Sequence, residues 1–386
     1  MADTRLTHLL RDFEQSPWLD NIRRGMLKNG EMQHYIDEGI VGVTANPTIF
    51  EKAIGGSSDY DDDIHRLGRT LHDANAIYEA LAIQDIQDTC DLYRPVYERS
   101  GHMDGRVSLE VLPELANNTA GTIAQAQEYW DRVSRPNAYI KIPATAAGVP
   151  AIEEAIYRGL CINVTLIFAI SRYREVMNAY LRGLERRVAA GRPIRESFSV
   201  ASFFVSRVDT LVDKQLQAKL TQEADPARQA ELKDLLGKAA IANAKLAYAE
   251  FEQTFSGPRW AALAAQGANV QRPLWASTST KNPDYPDTIY VDNLIGPHTV
   301  NTMPPQTIAA VLDHGRLART LDQGLDDAQA VFDRLAAVGI HMDDVTRQLE
   351  IDGVQSFSDS FDQLRESIRN KTAALVGAAP GGPSGA

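Results

Sequence analysis

Apolar and polar positions alternate in short bursts along this chain, separated by longer stretches with a helical repeat. Eight bursts read as strands. They are the residues before Asp20 in QSPWLDNI, then GIVGVTANP (39–47), RVSLEVLP (106–113), AYIKIPAT (138–145), LCINVTLIF (160–168), FSVASFFVS (198–206), PLWASTST (273–280) and HTVNTMPP (298–305). β-Branched and aromatic residues, which pack well on a pleated surface, fill most of them, and Pro, Gly, Asn or Ser close several. Between them, segments such as IYEALAIQDIQDTCDLYRPVYER and SRYREVMNAYLRGLERRVAAG repeat apolar residues at three- and four-residue steps. That is the signature of an amphipathic helix.

Strands alternating with helices imply parallel pairing through crossover helices. Eight such units favour closure over an open sheet, so the expected fold is α/β, a single (β/α)8 TIM barrel spanning 1–376. Helical insertions at 51–105 and 207–272, with extra C-terminal helices, account for the excess length. The Gly/Pro-rich end, GAAPGGPSGA (377–386), is expected to be a disordered tail.

Residues two apart on a strand share a face. On that rule Thr44 goes with Asn46, Ser108 with Glu110, Lys141 with Tyr139, Asn163 with Thr165, and Ser202 with Phe204. The opposite parity is Val, Ile, Leu and Ala, as needed against enclosing helices. The polar parity then points into the barrel near its C-terminal mouth, where such folds build sites. Each residue alone has a bland reading, but a core has no use for a lysine, a glutamate and two asparagines gathered together.

Lys141 is the sharpest of these. Desolvation disfavours a charged amine, and a neutral lysine can attack a carbonyl to form a Schiff base. Glu110 would suit proton transfer during that step. The competing reading is a structural Lys141–Glu110 ion pair.

Composition narrows the classes. Lys and Arg number 39 against 51 Asp and Glu, a formal charge of −12, which disfavours binding to nucleic acid or an acidic membrane surface. Cys90 and Cys161 offer neither a disulfide framework nor metal spacing. The acidic run DYDDDIH (59–65) lacks the glycine and final glutamate of a calcium loop and reads as a helix start. The charged N-terminus is no signal peptide, and no run approaches the roughly 18 apolar residues of a membrane span. A cytoplasmic protein without a metal is the expectation.

The segments GVTANPTIF, VSLEV, YIKIPAT..G..AI, INVTLIF, ASFFVSRVD and ASTSTKNPDYPDTIYVDNLIGPHTVNTMP follow in the order of the transaldolase motif series. The chain resembles the longer bacterial branch of that family from about Trp18 to Pro305. The resemblance implies a pentose phosphate pathway enzyme without a cofactor, a monomer or homodimer acting on sugar phosphates. It would move a dihydroxyacetone unit from sedoheptulose 7-phosphate to glyceraldehyde 3-phosphate. Lys141 would form the Schiff base, and Asp20 would take the C4 hydroxyl proton. Glu110 and Thr165 would hold the catalytic water. Thr44, Asn46, Asn163, Ser202 and Phe204 would line the site, and Arg207 would bind phosphate. Where the better-known branch has Ser-x-Arg, this chain reads Ser279-Thr280-Lys281, so Ser279 and Lys281 fill the second phosphate position without a guanidinium fork. The alternatives are a fructose 6-phosphate aldolase or another class I aldolase, and a catalytically silent barrel that only binds. Relatives of the aldolase type carry Gln and Tyr where this chain has Glu110 and Phe204.

Overall fold

A computed structural model describes residues 2–377. Eight parallel strands close into one barrel in sequence order: β1 (Gln15–Leu19), β2 (Gly42–Thr44), β3 (Arg106–Glu110), β4 (Ala138–Pro143), β5 (Ile162–Ile167), β6 (Ser199–Phe204), β7 (Gln271–Ala276) and β8 (Thr299–Met303). Closure is made by β1 against β8, from Gln15 beside Thr299 to Leu19 beside Met303. Every strand position is buried.

The strand expected over 39–47 contracts to three residues, Gly42–Thr44. Asn46 instead caps a short helix, Pro47–Phe50, its Oδ1 accepting the Ile49 N–H at 2.9 Å, with Pro47 in the first helical position. Gly42 has a packing reason, since a Cβ there would stand 2.4 Å from the Trp18 indole. Trp18 in turn stacks on Tyr139 inside the barrel, centroids 6.2 Å apart.

Below these rings the barrel floor is polar and saturated. Arg272 donates to Ser16 Oγ at 2.8 Å, to Asp104 Oδ1 at 3.0 Å and to the Met103 carbonyl at 3.0 Å. Ser16 and Trp18 also donate to Asp104. The floor thus holds a buried ion pair with its remaining valences filled, the condition under which such a pair is tolerated.

The insertions are helical, as expected: Asp61–Gly68 and Ala74–Leu92 lie in the first, and Pro226–Leu235 and Ala239–Thr254 in the second. The acidic run supplies Asp61, Asp62 and Asp63 to the first turn of its helix. After β8 come helices Pro305–His314, Leu325–Ala337 and Met342–Gly377. The last runs 36 residues along the rim of the mouth. Its Phe357 approaches Arg207, its Ser360 bonds Thr48 at 2.8 Å, and its Lys371 pairs with Asp61 at 2.7 Å. Residues 378–386, where the tail was expected, lie outside the described residues; Gly377 ends the last helix. Among the described residues no helix is long and apolar enough to cross a membrane.

Candidate active site

Parity and register together build one row of side chains across the mouth. Glu110 on β3 sits beside Lys141 on β4, and Lys141 sits beside Asn163 on β5. Lys141 is almost wholly buried, and its Nζ donates to the Ala45 carbonyl at 3.3 Å and stands 3.3 Å from Glu110 Oε2. The contact with Glu110 is an ion pair, and Glu110 Oε2 has no hydrogen-bond partner of good geometry among the described residues. Burial pushes the Glu110 carboxyl above its ordinary value, and Lys141 pulls it partway back. The ion pair named as a competing reading therefore exists, but it leaves proton-accepting capacity unused.

Asp20 follows β1 directly, its N–H bonded to the Met303 carbonyl at 2.8 Å. It does not cap a helix; its Oδ1 accepts the Thr44 hydroxyl at 2.7 Å. Thr44 Oγ1 also meets Thr302 Oγ1 at 2.6 Å, so a chain of hydroxyls from β8 and β2 fixes the carboxyl. Burial raises the Asp20 pKa; Lys141, the Thr44 hydrogen bond, Lys281 and Arg207 oppose that rise, in that order.

Asn163 is held from both ends. Its Nδ2 donates to Ser108 Oγ at 3.0 Å, and its Oδ1 accepts from Ser202 Oγ at 2.7 Å. Two positions on, β5 breaks register with β6, and Leu166 takes φ +58°, a strained value for a bulky side chain. Within this irregularity Thr165 is buried with its Oγ1 lacking a partner among the described residues. An unsatisfied buried hydroxyl costs free energy unless something bonds to it.

The upper wall carries cations. Arg207 opens the helix Ser206–Leu220 and lies over the Phe204 ring at 5.3 Å and the Phe357 ring at 5.9 Å. Its guanidinium has no hydrogen-bond acceptor among the described residues, and burial lowers its pKa, opposed by Asp20 and Glu110. On the loop after β7, Ser277 at φ +57° meets Ser206 Oγ at 3.0 Å, and Lys281 donates to Ser279 Oγ at 2.6 Å. The cleft measures about 560 Å³ and is lined by Asp20, Thr44, Asn46, Lys141, Ser202, Phe204, Arg207, Ser279 and Lys281.

The description "Transaldolase/Fructose-6-phosphate aldolase" belongs to the family profile that matches residues 17–368. The chain belongs to this family. It is 49% identical over 356 residues to the transaldolase of Parafrankia sp., covering 92% of this chain and 94% of that one. It is 44% identical over 376 residues to transaldolase 2 of a Nostoc species, covering 96% and 99%. The transaldolase of Mycobacterium tuberculosis is 48% identical over 357 residues, covering 92% and 94%.

Within this transaldolase-family barrel nine of the twelve anticipated residues line one cleft. Glu110, Asn163 and Thr165 lie buried around and beneath Lys141 on the two strands flanking β4. Several further lining residues were not anticipated from the sequence, among them Arg23, Lys52, Thr302 and Phe357. Thr302 lies in HTVNTMPP, but it shares a face with Val300 and not with Thr299, so alternation does not single it out. Phe357 comes from a surface helix, and nothing in the spacing of its sequence aims it at Arg207.

Proposed function

We propose that this chain is the transaldolase its family membership indicates, with Lys141 as the Schiff-base lysine for a phosphorylated ketose donor. The observation that carries the assignment of Lys141 is its buried amine, 3.3 Å from Glu110 and at the mouth of a closed barrel. Only a neutral amine attacks a carbonyl, so the lysine proton must be accepted nearby. Glu110, made more basic by burial, is placed to take it. Addition gives a carbinolamine; loss of its hydroxyl as water, with a proton returned through Glu110, gives the iminium.

The C3–C4 bond then breaks, its electron pair moving into the iminium while the C4 hydroxyl proton passes to Asp20. The aldose leaves, and a dihydroxyacetone enamine stays on Lys141. Addition to the aldehyde of glyceraldehyde 3-phosphate takes the proton back from Asp20. Water, held by Glu110 and the unpaired Thr165 hydroxyl, then hydrolyses the new iminium to release fructose 6-phosphate. Asn46 and Asn163 hold the sugar hydroxyls, Ser202 fixes Asn163, and Phe204 walls the cleft. Arg207, with Lys281 on Ser279, binds the phosphate.

Borohydride reduction in the presence of fructose 6-phosphate, followed by peptide mapping, tests this. A reduced adduct is expected on Lys141 and nowhere in Lys141→Arg protein. An adduct on another lysine, or turnover surviving Lys141→Arg, overturns it. A second reading, aldolase cleavage without transfer, is weighed by the free dihydroxyacetone released from fructose 6-phosphate without acceptor. Glu110 and Phe204, in place of Gln and Tyr, favour transfer.

A further inference from the structure

Three cations face the mouth without a carboxylate of their own. Arg207 and Lys281 come from the β6 and β7 sides, and the third, Lys52, comes from the β2 side. Arg23 also reaches the cleft, but it is spoken for by Glu31 at 3.4 Å and Asp59 at 3.7 Å. Lys52 has no ion pair or side-chain hydrogen bond among the described residues, although it borders the cleft beside Thr48, Ile49 and Ala53. We propose that Lys52 is a substrate-binding residue of this site, a third ligand for the phosphate of the sugar substrates, supplying charge where Lys281 replaces a forked arginine. The inference rests on the reading of the mouth as a phosphate site.

A surface lysine is ordinarily just solvated, so the backbone that carries this one matters. Lys52 lies in a single π-helical turn, Glu51–Gly55, that continues the helix capped by Asn46. Wide turns of this kind are costly and concentrate at functional sites. This one is fastened from behind. Ala53 and Ile54 are buried, Ser57 Oγ donates to the Ala53 carbonyl at 2.8 Å, and Lys371 of the C-terminal helix pairs with Asp61 beyond. Thr48, one turn before Lys52, is bonded to Ser360 of the same helix. The C-terminal helix therefore fixes the Lys52 segment through Ser360 and, one turn earlier, sets Phe357 against Arg207.

The charges are also held against one another. Lys52 and Arg207 both weaken the protonated form of Lys281, with loss of surrounding water as the larger cause. Like charges gathered around one opening repel unless an anion joins them. A phosphate monoester, carrying nearly two negative charges at neutral pH and three acceptor oxygens, matches three separate donors. A neutral sugar hydroxyl gains less from a third cation, because it brings no charge to offset the repulsion.

The test compares Lys52→Met, Lys52→Arg and Arg207→Met in steady-state transfer with fructose 6-phosphate and with unphosphorylated fructose as donors. Inorganic phosphate serves as a competitive inhibitor. Lys52→Met is expected to raise both the KM for fructose 6-phosphate and the inhibition constant of phosphate about tenfold, the size of one charge-assisted contact. Its effect on fructose should be smaller by that factor, and Lys52→Arg should restore most of the loss. Equal losses on the two donors, or phosphate inhibition left at the parental level, overturn the role of Lys52. If Arg207→Met also leaves phosphate inhibition intact, the phosphate reading of the mouth falls as well. If Arg207→Met abolishes it while Lys52→Met is silent, only the present inference falls.

Discussion

Replacing Asp20 by Asn separates the two halves of the proposed reaction. The variant keeps the shape and leaves an oxygen to accept the Thr44 hydroxyl, now 2.7 Å from Asp20 Oδ1. It removes the group that would accept the C4 proton. Loss of a positioned general base costs about 10²–10⁴ in rate, or about 3–5 kcal/mol of barrier. The charges nearby bear on binding as well. Lys281 and Arg207 oppose the rise in the Asp20 pKa, after Lys141 and the Thr44 hydrogen bond, so the carboxylate lies in their field without an ion pair to either. Its neutralisation should leave the KM for fructose 6-phosphate the same or lower while kcat falls. Schiff-base formation, which depends on Lys141 and Glu110, should persist. Borohydride trapping followed by mass spectrometry reads this directly. Without acceptor, the parent should carry a three-carbon dihydroxyacetone adduct on Lys141, and Asp20→Asn should carry the intact hexose phosphate. A three-carbon adduct on Asp20→Asn, or no adduct at all, would refute the role given to Asp20.

Alternation alone was enough to gather the proposed catalytic side chains on one face. Period two is a property of any strand, so Glu110, Lys141 and Asn163 fall on one face whatever their neighbours, and barrel register then sets them side by side. The same rule read too far at GIVGVTANP, where the Asn-Pro pair ends the strand and caps a helix. The signal was in the sequence, since a capping residue followed by proline marks a helix start. That misreading also hid Lys52, which only a helix after Asn46 brings to the mouth.

Other parts were out of reach for a physical reason. Thr302 and Thr44 touch across 258 residues of chain, and Phe357 reaches Arg207 from a helix whose docking no local pattern specifies. The insertion after β6 was equally opaque. Its helix Ser206–Leu220, opened by Arg207, also carries Asp209 and Asp213, which accept the hydroxyls of Tyr290 and Tyr285 at 2.9 and 2.7 Å. Tyr285 sits four residues beyond Lys281. One element thus ties Arg207 and Lys281, the two cations proposed to hold phosphate, to a common frame, and the insertion supports it through the Ala240 and Gly237 N–H groups bonded to the same carboxyls.

Two predictions concern this scaffold. Asp104→Asn leaves the Arg272 guanidinium buried without its counter-charge and should cost about 3–5 kcal/mol in urea unfolding; a loss below about 1 kcal/mol would show that Ser16 and the Met103 carbonyl satisfy Arg272 unaided. The second concerns pH and Asp209, whose carboxyl burial pushes up to about 7 despite the Ala240 N–H and the Tyr290 hydroxyl. Folded Asp209 therefore holds its proton at pH values where the unfolded chain, with an aspartate near about 4, has lost it. More protons bound in the folded state means stability that is full below about pH 4 and lost as pH rises through about 7. Asparagine mimics the protonated form at every pH. The stability of the parent relative to Asp209→Asn should accordingly decline between about pH 4 and about 7 and level off above, and a difference that stays constant across that window would mean the carboxylate is ionised in the folded protein throughout.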